Sequence, residues 1–266
     1  MTNNQIGILG CGWLGLPLAI KCIQAGYTIN GSTTSKNKLS TLKKHNIKSF
    51  LIDIPEKNES LEEFLSVKTL IITTPFKRSF NPASQYLDQI NYILTHAKHV
   101  EKILFTSSTS IYSTTNNTVY EADSIKATSE RQKTLKSVEE FILNSPMQSI
   151  VARCAGLYGK NRELGKFLSK KSTQNGLCPV NLIHQDDAVE ILFQLIESKI
   201  EHWNTTYNLV SDKHPTKKEL YSKQAAQLNL EQPLFDDTLP LNYKIVSNKK
   251  IKDTLNYKFI HPDPRT

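Results

Sequence analysis

The stretch Ile6–Ala19, IGILGCGWLGLPLA, restricts what this chain can fold into more than any other. Gly10, Gly12 and Gly15 stand in the spacing G-x-G-x-x-G. The run before them, QIGIL, is short, apolar and β-branched, and reads as a buried strand. The run after them, WLGLPLAIKCIQAG, reads as a helix; Pro17 lies early, where a proline costs least, and Gly26 stops it. At such a strand–turn–helix junction Gly10 permits the turn, Gly12 leaves room for a diphosphate, and Gly15 lets the helix lie close on the strand. The N–H groups and positive end of the helix then attract the anion. The stretch does not read as a secretory leader: MTNNQ carries no Lys or Arg, and glycines and a proline interrupt the apolar run.

The residues expected at a dinucleotide are therefore Gly10, Cys11, Gly12, Trp13, Leu14 and Gly15. The next strand-like run, YTINGSTTS, bears on which nucleotide it is. A site for NAD places Asp or Glu about 20 residues after the turn, to grip the ribose 2′-hydroxyl. Here that place reads Ser32-Thr33-Thr34-Ser35-Lys36, with no acid. Hydroxyls and a lysine suit a 2′-phosphate, so NADP is expected ahead of NAD, with Ser32, Thr33, Thr34 and Lys36 as its contacts. The arginine that commonly forks a phosphate is missing, and NAD stays open.

Strand-like and helix-like runs go on alternating. IKSFLIDI, KTLIITTP, EKILFTSST and QSIVARCAGLYG read as strands three to six. ESLEEFLSV, ASQYLDQINYILTHAKHV and TSERQKTLKSVEEFILNS read as the helices between them. Near-continuous apolar strands separated by helices imply a parallel sheet covered on both faces. The expected fold class is α/β, a doubly wound Rossmann sheet with a small C-terminal substrate lobe. The expected division is a nucleotide-binding domain at 1–156 and the smaller lobe at 157–266, some of whose segments return to the core.

Composition excludes several other classes. In 266 residues, 38% hydrophobic and 22% charged is ordinary for a globular chain. No apolar run reaches the ~18 residues that span a bilayer. Cys11, Cys22, Cys154 and Cys178 show no paired or zinc-like spacing, and are expected as free thiols of a cytoplasmic protein. His96 and His99 lack a nearby Cys or carboxylate partner, and no metal site is expected. The net charge of +8 comes with lysines spread along the chain, without a helix-turn-helix signal or a basic–aromatic stripe. The expected partner is a small-molecule substrate, not nucleic acid and not a membrane.

FTSSTSIYS, VARCAGLYGKNR, NLIHQDDAVEIL and TTYNLVSDKHPTKKEL follow the glycine turn in the order found in extended short-chain dehydrogenases, the family of the NAD-dependent nucleotide-sugar epimerases and dehydratases. The chain resembles that family over nearly its whole length, and most of all its small atypical YeeZ-like subgroup. The resemblance implies a serine or threonine that hydrogen-bonds the reacting carbonyl, carried here by Ser108 with Thr109 as the neighbouring alternative. It also implies Asp53 and Ile54 at the adenine, Thr73, Thr74 and Pro75 along the cofactor, and Tyr158 and Arg162 at the turn into the substrate lobe. For Asp53, Tyr158 and Asp187, strand-end capping or lobe packing is the competing reading. A homodimer is implied by the same analogy.

One departure matters. The family carries Tyr-x-x-x-Lys on the helix after the fifth strand, where the lysine lowers the tyrosine pKa and the tyrosine moves the proton. This helix has no tyrosine; Lys133 follows Ser129 by four and Lys136 follows Gln132 by four. Acid–base help of roughly 10²–10⁴ in rate must then come from elsewhere. Tyr112 and Tyr120 are the nearest phenols in sequence, and Lys77 and Arg78 are cations suited to polarising an oxygen or holding an anionic substrate. Three readings stay open. One is an NAD(P)-dependent oxidoreductase or epimerase-like enzyme acting on a small polar carbonyl or hydroxyl compound. Another is a dinucleotide-holding sensor or partner protein without catalysis. The third is a β-hydroxyacid dehydrogenase, whose opening resembles this one but which continues into an all-helical second domain.

Overall fold

The structure is a computed structural model that describes residues 4–54, 60–76 and 84–266. In chain order it holds β1 (Gln5–Leu9), α1 (Gly15–Gln24), β2 (Thr28–Thr33), α2 (Leu39–Lys44), β3 (Lys48–Leu51), α3 (Leu61–Phe64), β4 (Thr69–Ile72), α4 (Ser84–His96) and β5 (Lys102–Ser108). Then come β6 (Thr118–Val119), α5 (Glu130–Leu143), β7 (Gln148–Cys154), β8 (Gly156–Tyr158), α6 (Gly165–Leu168), β9 (Ser172–Gln174) and β10 (Leu182–His184). The chain ends with α7 (Gln185–Glu197), β11 (Thr205–Leu209), α8 (Lys217–Gln227), β12 (Leu234–Asp236), β13 (Ile245–Val246) and α9 (Lys249–Leu255).

Seven strands form a parallel sheet in the order β11-β7-β5-β4-β1-β2-β3, the α/β Rossmann arrangement read from the sequence. The order reverses between β1 and β4, where Ile6, Gly7, Ile8 and Leu9 pair with Thr69, Leu70, Ile71 and Ile72. Ligands of such sheets bind at this reversal, beyond the carboxyl ends of the strands. Leu70, Ile71, Ile72, Ile103, Leu104 and Phe105 are fully buried, as a parallel strand covered on both faces requires. Gly26, at φ +93, ends α1, and the Tyr27 N–H reaches back to the Cys22 carbonyl. Cys11, Cys22, Cys154 and Cys178 are free and buried. Among the described residues no helix is long and apolar enough to cross a membrane.

Contacts divide the chain into two compact units. One comprises Met1–Ile111, Ala127–Ala152 and Leu192–Thr206; the other comprises Tyr112–Lys126, Arg153–Ile191 and Tyr207–Thr266. The run QSIVARCAGLYG, read as one strand, is two. β7 joins the central sheet, and β8 pairs with β10 instead. The break falls where the Ala155 N–H turns to the Leu209 carbonyl and the Gly156 N–H to the Asn181 carbonyl.

Within the second unit, Tyr158, Leu164, Leu182 and Leu220 form a small core. Asp187, in the first turn of α7, is completely buried. It accepts hydrogen bonds from the Tyr257 hydroxyl (2.8 Å) and from the N–H groups of Ile260 (2.7 Å) and His261 (2.9 Å). It thereby ties the C-terminal tail to the unit, and burial, reinforced by the Asp187 carboxylate, raises the Tyr257 pKa. Asp187→Ala strands three donors, so the unfolding free energy is expected to fall by about 1–3 kcal/mol or more. Urea denaturation checks this as a lower midpoint; an unchanged midpoint contradicts it.

Candidate dinucleotide site

The turn after β1 is braced from two neighbouring strands. Gly10 takes φ +97, and a Cβ there would stand 2.9 Å from Thr74 Cγ2. Its N–H donates to Ser32 Oγ (2.9 Å), and its carbonyl accepts from the Thr73 hydroxyl (2.7 Å) and the Gly12 N–H (2.7 Å). The Cys11 N–H donates to the Ser32 carbonyl at 2.7 Å. Cys11 is buried beneath the turn, and burial pushes its thiol up to about 12, so it packs as a small apolar group.

The other two glycines differ in what surrounds them. A Cβ at Gly15 would meet the Gly10 carbonyl oxygen at 2.4 Å and Thr73 Oγ1 at 2.6 Å. The helix can approach the turn this closely only without a side chain there. A Cβ at Gly12 would meet nothing nearer than the Gly10 oxygen at 3.9 Å, and the residue is exposed. Leu14, at the N-cap of α1, offers no side-chain cap, and the first turn holds no acid. The Leu16 N–H donates to the Gly12 carbonyl (3.0 Å) and Pro17 has no N–H, so what α1 offers an anion is its positive end rather than a row of free amides. An anion with room over Gly12 fits this arrangement, as the diphosphate of a nicotinamide dinucleotide does. Trp13 is half-buried beside it and Leu14 is buried.

The side chains read as nucleotide contacts divide by burial. Ser32 and Thr33 face inward: Ser32 braces the turn, and Thr33 Oγ1 accepts from the Ser35 N–H at 3.2 Å. Thr34 and Lys36 are exposed. Asp53 is exposed after β3, whereas Ile54 packs on the core and its carbonyl accepts from Gln89 at 2.6 Å. After β4, the Thr74 carbonyl accepts from the Tyr86 hydroxyl at 2.7 Å, and Pro75 is exposed. Lys77 and Arg78 lie outside the described residues.

At the end of β5, Ser108 Oγ accepts from the Ser110 N–H at 3.2 Å, and Thr109 is buried. Arg131, in the first turn of α5, reaches the same place. Its Nε donates to Ser110 Oγ (3.1 Å), its Nη1 donates to the Phe76 carbonyl (3.3 Å), and its guanidinium lies 5.2 Å over the Phe76 ring. Further along α5, buried Glu139 accepts from the Ser107 hydroxyl.

Ser129 and Gln132, which precede the two lysines by four, are occupied in the capping box that starts α5. Lys133 and Lys136 form ion pairs with Glu130 (2.8 Å) and Glu140 (3.7 Å) along their own helix. Tyr112 belongs to the other unit. Its buried hydroxyl donates to Asn208 Oδ1 (2.9 Å) and accepts from Arg153 (2.7 Å), while burial raises its pKa. Tyr158 is buried there with its ring edge on His184, and Arg162 is exposed in a turn closed against Gly159.

Residues 5–147 match the family described as the NAD binding domain of 6-phosphogluconate dehydrogenase. Over 270 aligned positions the chain is 30% identical to Protein YeeZ of Escherichia coli (strain K12), covering 98% of this chain and 97% of that protein. The chain belongs to the YeeZ family. The fold of this YeeZ-family chain is also that of UDP-glucuronic acid 4-epimerase from Bacillus cereus, solved in complex with NAD. That match has a TM-score of 0.81 at 15% identity, over 98% of this chain and 94% of that one. A functionally unknown conserved protein from Silicibacter pomeroyi DSS matches with a TM-score of 0.75 at 20% identity, over 98% and 95%.

Sequence reasoning overlooked Arg131, Tyr86 and Glu139 in this YeeZ-family chain. Arg131 had one signal, an arginine on the helix to which the sequence resemblance assigns the proton donor. The burial of Tyr86 and Glu139 had no local signature. The three glycines supply a direct test. Gly15→Ala is expected to destabilise the fold by about 1–3 kcal/mol through overpacking. Gly12→Ala is expected to keep the melting temperature and lose dinucleotide binding, as measured by scanning fluorimetry and calorimetry. A Gly12→Ala protein that binds normally contradicts the assignment.

Proposed function

We propose that this protein is an NADP-dependent oxidoreductase or epimerase-like enzyme that acts on a small polar carbonyl or hydroxyl compound. The observation that carries the reading is the open space over Gly12 at the positive end of α1, whose first turn holds no acid, followed by a strand end with no acid. When bound, the nicotinamide supplies the hydride donor or acceptor. The bare backbone at Gly12 and the positive end of α1 hold the diphosphate, and exposed Thr34 and Lys36 serve the 2′-phosphate. Ser108 accepts from Ser110, which leaves its own O–H to donate to the reacting oxygen. Arg131 cannot act as an acid near neutral pH, because a guanidinium keeps its protons. Its charge beside Ser110 instead stabilises negative charge developing on that oxygen. A cytoplasmic homodimer completes the reading.

A second reading, a dinucleotide-holding sensor, is favoured by the lack of a phenol on α5 and by the capping roles of Ser129 and Gln132. The β-hydroxyacid dehydrogenase reading has the family match over residues 5–147 in its favour. Past residue 157, however, the described chain continues through β9, β10, β11, β12 and β13 rather than through helices alone.

Calorimetry on the purified protein is expected to show NADPH binding more tightly than NADH. Lys36→Glu is expected to weaken NADPH several-fold, in line with the roughly 1 kcal/mol of an exposed ion pair, and to leave NADH unchanged. Across a panel of carbonyl compounds, NADPH consumption is expected, with Ser108→Ala lowering kcat by about 10²–10³. Binding without turnover selects the sensor. Failure to bind either dinucleotide removes both readings.

A further inference from the structure

The second unit gathers His184, Asp186 and His261, from the end of β10, the first turn of α7 and the C-terminal tail. His184 Nδ1 lies 3.5 Å from Asp186 Oδ2, His261 Nε2 lies 3.4 Å from the same oxygen, and the three atoms fall within 4.8 Å of one another. Ligands about 2.05 Å from a tetrahedral zinc ion stand about 3.3 Å apart. Two edges of the cluster are already near that length. We propose that these three side chains bind one divalent transition-metal ion, zinc by preference, with water completing the shell.

The donor set points to this class of ion. Two imidazoles and one carboxylate suit zinc and its neighbours, whereas magnesium and calcium take oxygen. His184 Nδ1 accepts from the Asp186 N–H at 3.2 Å, which makes it the unprotonated ring nitrogen; a bound metal ion takes that lone pair over from the N–H.

The surroundings hold the cluster together. Buried Asp187 fixes the backbone of Ile260 and His261 with both of its oxygens, and so delivers the His261 ring to His184. On the far side of His184, a Cβ at Gly159 would stand 3.0 Å from Nε2, so backbone packs closely there and Nδ1 faces the cluster. Asp186 is 60% exposed, which leaves an entry path. The two rings are stacked at 3.7 Å with a 38° tilt. Ligation therefore turns the His261 ring until both lone pairs meet at one point, a motion that the backbone hold of Asp187 permits.

The test uses untagged full-length protein, stripped of metal, dialysed against zinc and measured by elemental mass spectrometry, with cobalt(II) as the spectroscopic probe. One zinc per chain and a four-coordinate cobalt spectrum are expected. His261→Asn and Asp186→Asn should each weaken binding by about tenfold or more, since even outer-shell losses reach that size. His96→Asn should leave it unchanged, and circular dichroism should show all three variants folded. Absence of stoichiometric zinc uptake, or uptake that persists in both cluster variants, overturns the proposal. The readout involves neither dinucleotide nor turnover, so its result is independent of the NADP reading.

Discussion

Both polar groups of the Gly10 peptide are held by hydroxyls from neighbouring strands: Ser32 takes the N–H, and Thr73 gives its proton to the carbonyl. Each such bond contributes about 0.5–1.5 kcal/mol, but the consequence is geometric. The N–H groups that follow are also taken by protein, Cys11 by the Ser32 carbonyl and Gly12 by the Gly10 carbonyl, so the turn is fixed against the ends of β2 and β4. Gly15 then lets α1 close on the turn, and Gly12 keeps the outer surface bare. The reversal of strand order between β1 and β4 places all of this at the carboxyl ends of the sheet, where a ligand reaches it.

The helix after β5 lacks the Tyr-x-x-x-Lys device that the resemblance to extended short-chain dehydrogenases implies. In this chain Ser129 and Gln132 are drawn into a capping box, and Lys133 and Lys136 pair with acids of their own helix. Arg131 is the α5 side chain seen to cross to Ser110 and to the end of β4. A guanidinium is a permanent cation and not a titrating acid, which is why the proposed function gives Arg131 a charge-stabilising part. Ser107, anchored to buried Glu139, holds the strand end rigid behind Ser108.

Much of the fold was legible in the residues because burial on both faces leaves an unmistakable trace. LIITT and ILFTS could hardly be anything but interior strands, and the capped, periodic runs between them could hardly be anything but helices. The glycine turn was legible for the same kind of reason, since each glycine answers a local steric demand. QSIVARCAGLYG misled because one continuous apolar run supplies two strands; what divides them is which partner offers a carbonyl, and no residue within the run records that. Tyr112 looked available from its place in a loop, but Asn208 and Arg153, 96 and 41 residues away, take both sides of its hydroxyl.

The amino-acid sequence by itself determined the parallel sheet, the diphosphate turn, the missing acid after β2 and the missing phenol on α5. Each of these depends on residues a few positions apart, whose sterics and hydrogen bonding act within one element. Tertiary structure alone decided that Ser32 braces the turn while Thr34 and Lys36 stay outside. It alone brought Arg131 to Ser110, and set His261 against His184 under the hold of Asp187. Those arrangements join side chains distant in the chain, and only the packed backbone fixes which of many equally suitable hydroxyls, cations and imidazoles come within hydrogen-bonding range.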